Sequence, residues 1–287
     1  MDFSQIMISN LMMMLRLNKN YDINVDEIRP MVLSSIRAYK VKHQEKYGEM
    51  IICCDDKNYW RRQVFPYYKM NRKKTQKESL VDWHEVFAAL EVVKQELIES
   101  FPYTVIQVEA AEADDVIASI CHRYGELGIM SNSAEQILVL SSDKDFGQLQ
   151  KYANVDQYMP IQKRWQTVNN PERFIHEHIL AGDSSDGVPN FLSDDDTFVN
   201  DTKRQTSLTA VRIDKTNGLS PEEFCTPEEL VRYERNKLLI DLDMVPENIQ
   251  EDAVNQYSDR IHKGRGKLLN YFIQHKLKQQ LQNIQDF

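Results

Sequence analysis

Three stretches of this chain place acidic side chains where they could do chemistry together. Glu112-Ala113-Asp114-Asp115 follows the β-branched run Tyr103 to Val108, and Ser141-Ser142-Asp143-Lys144-Asp145 follows Ile137 to Leu140. A third apolar run, Met50 to Cys54, ends at Asp55-Asp56. Each run reads as a short buried strand. A strand that ends in acids delivers them to the carboxyl edge of a parallel sheet, where open α/β folds place their sites. Carboxylates about 4 Å apart repel by roughly 1 kcal/mol in water and roughly 4 near a protein surface, so such a cluster needs bound cations. Oxygen-rich ligand sets with few sulfur or imidazole partners select Mg²⁺ or Mn²⁺ over zinc. The chemistry implied is divalent-metal phosphoryl transfer. The competing account of Glu112 to Asp115, plain capping of a helix N-terminus, explains only one of the three stretches.

The rest of the chain must position those acids. At 287 residues, with 41% hydrophobic and 28% charged side chains, it has the composition of a soluble globular protein with room for a sizeable core. No run approaches the roughly 18 apolar residues of a membrane helix; the Met-rich segment Ile6 to Leu17 is broken by Ser9, Asn10 and Arg16 and reads as a buried helix. Cysteines 53, 54, 121 and 225 show no paired spacing, which suits reduced thiols in a cytoplasm.

The net charge of −9 argues against a nucleic-acid partner only until its distribution is read. Lys57 to Lys77 holds eight Lys or Arg and no acid, and Ile261 to Gln285 holds five more and no acid. Two such tracts beside a metal site suggest phosphate-binding faces. In the first, Tyr59, Trp60, Phe65, Tyr67 and Tyr68 alternate with the cations, as on a path that grips phosphates and stacks unpaired bases, with at least one of Trp60 and Phe65 expected instead as a core anchor. Asn71 to Glu78 lacks hydrophobic residues and is expected to be mobile without ligand.

Helical spacing predicts Phe3 to Leu17, Val25 to Lys46 with Asn24 as cap, Glu78 to Ser100 with one apolar face, and Ala110 to Gly125. On the last, Glu112 and Asp115 are spaced to converge and Asp114 to point elsewhere unless the helix begins late. Tyr152 to Met159 and Arg164 to Val168 read as a strand pair, and Phe174 to Ala181 as a short helix leading into Gly182-Asp183-Ser184-Ser185-Asp186. Phe191 to Gln205 is too polar to assign. Beyond it, Pro221 to Leu239, Pro246 to Tyr257 and Lys267 to Gln282 read as helices of a second lobe.

The ordered set Asp55, Tyr59-Trp60-Arg61-Arg62, Tyr67-Tyr68-Lys69-x-x-Arg72, Glu112-Ala-Asp114-Asp115, Ser142-Asp-Lys-Asp145-Phe and Gly182-Asp-x-x-Asp186 resembles the 5′ nuclease (flap endonuclease) family, most nearly its bacteriophage ribonuclease H members. The resemblance covers nearly the whole chain. It implies a PIN-like α/β fold: a mixed, mostly parallel sheet, a helical arch near 57–80, and a mostly helical C-terminal lobe with a helix-turn-helix variant. The expected division is a nuclease domain over 1–181 and a DNA-binding lobe over 182–287.

The resemblance also assigns roles. Asp2, Asp55, Glu112 and Asp114 match a first metal site; Asp143, Asp145, Asp183 and Asp186 match a second, with Asp115 close by. Two Mg²⁺ ions, replaceable by Mn²⁺, would serve them. Lys69 and Arg72 match the basic pair that holds the scissile phosphate, Tyr68 an aromatic that stacks on substrate, and Arg61, Arg62, Lys73 and Lys74 complete the nucleic-acid surface. Implied partners are RNA/DNA and DNA duplexes with 5′ ends, flaps or forks, a single-stranded DNA-binding protein, and a sliding clamp taken by Asn283 to Phe287. The implied state is a monomer in the cytoplasm of a bacterial host, removing primers during phage replication. Two departures are expected to matter. Only Met1 precedes Asp2, so Asp2 should be poorly fixed, and Leu192-Ser-Asp-Asp-Asp196 replaces the family's glycine-rich turn.

Overall fold

Strand β1 (Ile51–Cys54) pairs parallel with β2 (Thr104–Gln107). Strand β3 (Ile137–Leu140) pairs parallel with β4 (Val155–Met159), which pairs antiparallel with β5 (Arg164–Gln166). This computed structural model describes residues 1–17, 23–79, 81–130, 135–260 and 263–287, and for 74–75, 77–78 and 126–130 the backbone alone.

Met1 and Asp2 join the two sets of strands. Cys53 N–H donates to Met1 O at 2.9 Å and Asp2 N–H to Leu140 O at 3.1 Å, with Asp2 and Cys53 forming a single parallel bridge. The strand order is therefore β2, β1, Met1–Asp2, β3, β4, β5. This overturns the expectation of a loose Asp2: with a strand on either side, two residues suffice to complete the ladder. Helix α1 (Phe3–Leu17) starts immediately after, and Asp2 Oδ1 accepts the Gln5 amide at 3.0 Å as its cap.

Helices cover both faces. On one, α1, α2 (Val25–Tyr47) and α5 (Trp83–Ser100) pack over Ile52 and Leu140. Asn24 caps α2 as expected, but α5 begins at Trp83 because Asp82 accepts the His84 and Glu85 amides. Between them lie the short α3 (Trp60–Val64) and α4 (Met70–Glu78). The segment expected to be mobile is thus helical. On the other face, α6 (Ala113–Met130) runs from β2 to β3, and a 3₁₀ helix (Lys144–Lys151) leaves β3. Helix α7 (Pro171–Ala181) ends at Gly182, where φ is +69° and a Cβ would stand 2.4 Å from Val188 O, so only glycine fits.

The chain beyond Gly182 departs from expectation in several ways. No regular helix follows the Gly182 to Pro189 loop until α8 (Ala210–Thr216); the intervening Asp194, Asp195 and Asp196 are ion-paired by Arg232, Arg235 and Lys203 respectively. The helix predicted from Pro221 divides into α9 (Pro221–Phe224) and α10 (Pro227–Ile240), because Pro227 takes a first helical position behind a Thr226–Glu229 capping box. Helix α11 (Glu247–Ser258) packs Ile249 and Ala253 into the same core as Val116 and Ile120 of α6. Helices α12 (Leu268–Gln274) and α13 (Lys278–Gln282) fold back onto α2 and α5.

That return ties the two ends of the chain together. Residues on both sides of 181/182 share cores. Phe287 is 1% exposed, with its ring 6.0 Å from Phe101 and 5.1 Å from Phe272, so it is not an exposed anchor for a clamp. Two cations of the second basic tract are engaged by the fold: Lys263 Nζ donates to Ile98 O at 2.6 Å and Lys267 Nζ to Glu99 O at 3.0 Å, satisfying carbonyls at the end of α5. Ile261 and His262 lie outside the described residues. No described helix is long and apolar enough to cross a membrane.

Candidate active site

The carboxyl ends of β1 and β3, Asp2 between them, and the start of α6 all meet at one edge of the sheet. The acids there fall into two groups. Glu112, Asp115, Asp183 and Asp186 are answered by cations or hydrogen-bond donors of the chain itself. Asp2, Asp55, Asp114 and Asp143 form no ion pair among the described residues, and Asp145 faces only His178.

Glu112 sits just before α6. Its Oε1 takes Lys69 Nζ, and its Oε2 takes Arg61 Nη1 at 3.0 Å and the Tyr68 hydroxyl at 2.8 Å. Burial alone would raise its pKa, but Lys69 and Arg61 bring it down to about 2. Asp115 is fully buried and turned inward: it accepts the Glu112 amide at 2.9 Å and Trp60 Nε1–H at 3.1 Å, and pairs with Arg61 Nη2 at 2.7 Å. It therefore does not join the cluster as expected. The helix begins at Ala113 rather than Ala110, and that shift points Asp114 at the other acids instead.

The unpaired group carries the strain. Burial, then Asp55 and Asp143, push the Asp2 carboxyl up to about 7, against hydrogen bonds from the Gln5 amide and the Ser141 hydroxyl. Burial, then Asp143 and Asp2, hold Asp114 well above the ordinary carboxylate range. Asp143 is raised by burial and by Asp186 and Asp183, and Asp145 well raised by burial and by Asp143. Each carboxylate opposes the ionisation of its neighbour. Asp55 Oδ1 accepts the Ala113 amide at 2.9 Å, tying β1 to α6 at the cluster. Asp56 instead accepts the Ala110 amide and Gln107 Nε2, holding the preceding loop.

The basic residues divide as well. Lys69, with φ of +57° at the start of α4, places its amine between Glu112 and Asp186, 3.5 Å from the latter. That left-handed backbone costs energy in a residue with a Cβ, and is held here by a 2.7 Å hydrogen bond from the Lys69 amide to Asp186 O. Arg72 pairs with Asp186 from the solvent side. Arg61, expected on the nucleic-acid surface, is 2% exposed and also donates to Leu239 O at 2.8 Å. Tyr68, expected to stack on substrate, is buried with its hydroxyl shared between Glu112 and Asp186, at 2.8 Å each. Both are displaced from solvent for one reason: the buried acids need donors. Arg62 lies over the Tyr59 ring at 4.5 Å and Lys73 is exposed; the side chain of Lys74 lies outside the described residues.

Three residues at this edge were not legible as functional. The Ser141 hydroxyl donates to Asp2 Oδ2 at 3.1 Å. Gln157, on β4, donates to Ser141 O and Asp143 O at 3.1 and 2.6 Å, fixing the loop that carries Asp143. His178, in the last turn of α7, stands between Asp145 and Asp183 at 3.3 Å from each. Asp183 is held well below the carboxylate range: burial opposes this, but hydrogen bonds from His178 and Ser185 prevail.

This donor set fits divalent cations. The clustered carboxyls are raised by one another, and Asp145 Oδ1 is buried without a hydrogen-bond partner. One oxygen each of Asp145 and Asp183 and one nitrogen of His178 lie within 4.8 Å of one another.

Comparison with known proteins agrees with the geometry. Residues 13–178 match the 5′-3′ exonuclease N-terminal resolvase-like domain, and 169–287 match the C-terminal domain of T4 RNase H. Ribonuclease H of Enterobacteria phage T4 is 33% identical over 296 aligned residues, covering 100% of this chain and 94% of that protein. The flap endonuclease Xni of Shewanella sp. strain MR-4 is 29% identical over 48% of this chain and 50% of its own. Among solved structures, T5 5′-exonuclease with bound zinc superposes with a TM-score of 0.60 at 16% identity, covering 90% of this chain and 97% of that one. The chain therefore belongs to the 5′-3′ exonuclease family and is a nuclease of the PIN-like α/β fold.

Proposed function

We propose that this nuclease hydrolyses phosphodiesters from the 5′ ends of RNA/DNA and DNA/DNA duplexes, and cuts flaps, with two Mg²⁺ ions that Mn²⁺ can replace. Removal of RNA primers from lagging-strand fragments in phage replication, in the host cytoplasm, is the role we infer, and the similarity to a phage ribonuclease H supports it. The observation that carries the reading is the ring of mutually opposed carboxyls, Asp2, Asp114, Asp143 and Asp145, beside the cations Lys69 and Arg72.

Asp2, Asp55 and Asp114 would hold one cation and Asp143 and Asp145 the other, with Asp186 reachable from Lys69 and Arg72. Bound there, divalent cations supply an activated water and neutralise charge on the departing oxygen. The chain's own residues do the rest. Arg61, Trp60 and Tyr68 lock Glu112 and Asp115, and with them the start of α6 that aims Asp114. Arg72, with 47% of its side chain exposed against 11% for Lys69, meets a phosphate first. Lys69 donors then stabilise charge that builds on the phosphoryl group.

A rival reading, a catalytically weak fork- or junction-binding replication protein, rests on a poorly built first site, and the Asp2–Cys53 bridge speaks against it. The test is cleavage of 5′-labelled RNA/DNA hybrid, nicked duplex and flap substrates in Mg²⁺, with Asp114→Asn as control. Short 5′-phosphorylated products that vanish in the variant are expected; binding of all three without cleavage by the wild type refutes the proposal.

A further inference from the structure

We propose that His178 is a direct ligand of the second cation through Nδ1, so that this site is a mixed nitrogen and oxygen set that favours Mn²⁺ over Mg²⁺. The inference rests on the metal-dependent nuclease reading and adds a ligand that the family's acidic motifs do not contain.

Asp183 has little left to offer a cation. Its Oδ1 accepts the Ser185 amide at 2.7 Å, the Ser185 hydroxyl at 2.6 Å and the Asp186 amide at 3.3 Å; its Oδ2 faces His178 Nε2 at 3.3 Å and Lys144 Nζ at 3.4 Å. A hydrogen bond from Nε2–H to Asp183 fixes the tautomer and leaves the lone pair on Nδ1. Carboxylate, histidine and metal in that order are the arrangement by which proteins orient an imidazole ligand.

The free nitrogen is aimed at the right place. His178 is 7% exposed, and its Nδ1 has no hydrogen-bond partner although it is fully enclosed. Asp145 Oδ1, 3.3 Å away, is likewise enclosed and unpartnered. Two open donor atoms at this spacing match adjacent ligands about 3 Å apart around a cation bound at roughly 2.1 Å. Imidazole strengthens binding of transition metals along the Mn²⁺ to Zn²⁺ series while doing little for Mg²⁺, which prefers oxygen and keeps its waters.

The experiment is pulsed electron paramagnetic resonance on the full chain loaded with Mn²⁺, with equilibrium Mn²⁺ and Mg²⁺ binding measured in parallel. Wild type is expected to show the ¹⁴N coupling of a directly bound imidazole. His178→Gln should lose it, weaken one Mn²⁺ site about tenfold or more, and change Mg²⁺ affinity less than threefold. His178→Asp should restore Mn²⁺ binding without the ¹⁴N signal, which separates ligation from a folding defect. Wild type without ¹⁴N coupling, coupling that survives in His178→Gln, or equal weakening of both metals overturns the assignment. Wild-type cleavage measured on the same samples keeps the two readings apart: an active enzyme without nitrogen coupling refutes His178 alone, whereas failure to cleave at all refutes the nuclease proposal.

Discussion

The Asp2 amide donates to Leu140 O at 3.1 Å, and this hydrogen bond ties the first acid of the chain to the second half of the sheet. The same residue is 5% exposed and opposed by Asp55 and Asp143. Asp2→Asn should therefore stabilise the metal-free protein by about 2 kcal/mol at pH 8, roughly 5 °C in Tm, while lowering cleavage at least 100-fold. Thermal denaturation in chelator beside a cleavage assay measures both. Lower stability together with lost cleavage would mean that Asp2 acts as a structural cap alone.

The pH dependence has a definite sign. The Asp2 carboxyl is raised from 3.8 to about 7 by folding, so between those values the folded state binds more protons than the unfolded one. Stability of the metal-free protein should fall as pH rises through that window, by up to about 1.4 kcal/mol per pH unit for such a group. Cations that hold the charged form reverse the effect. The Tm increase given by saturating Mg²⁺ should be larger at pH 8 than at pH 5, and an equal increase at both would contradict the coupling.

Arg61 separates a structural role from a substrate role. It pairs with Glu112 and Asp115, whose side chains are 3% and 0% exposed. Arg61→Ala leaves buried Asp115 without its cation and Glu112 with Lys69 alone, and should cost about 3–5 kcal/mol in urea denaturation. A variant of normal stability with weakened nucleic-acid binding would return Arg61 to the surface role.

Phe287 is predicted to matter for folding. Phe287→Ala opens a cavity between Phe101 and Phe272 and should destabilise by about 3 kcal/mol, read as a lower denaturation midpoint. No loss of stability would mean that the terminus leaves the core in solution.

The two basic tracts should behave differently toward duplex. Replacing Arg62 and Lys73 by alanine should weaken binding and reduce the slope of log affinity against log salt by about 1 to 2. Replacing Lys263 and Lys267, which satisfy the Ile98 and Glu99 carbonyls, should leave that slope unchanged. A matching slope change in the second pair would make both tracts phosphate contacts.

The strands that deliver Asp55 and Asp143, the cap at Asn24 and the order of motifs that marks the family are all legible in the sequence. These are local: they follow from apolar runs, turn residues and spacing along one stretch. Which charges answer one another is set by packing between distant segments. Arg61 reads as substrate-facing until Asp115, far along the chain, is seen buried against it, and Lys263 reads as phosphate-facing until the end of α5 is seen beneath it. His178 offered no signal, because its meaning lies in Asp145 and Asp183, which reach it from a different strand end and from across a glycine turn. Asp2 follows the same rule: the strands on either side of it come from residues near 53 and 140. Partners in a buried electrostatic network are chosen by distance in space, and burial sets how strongly they couple.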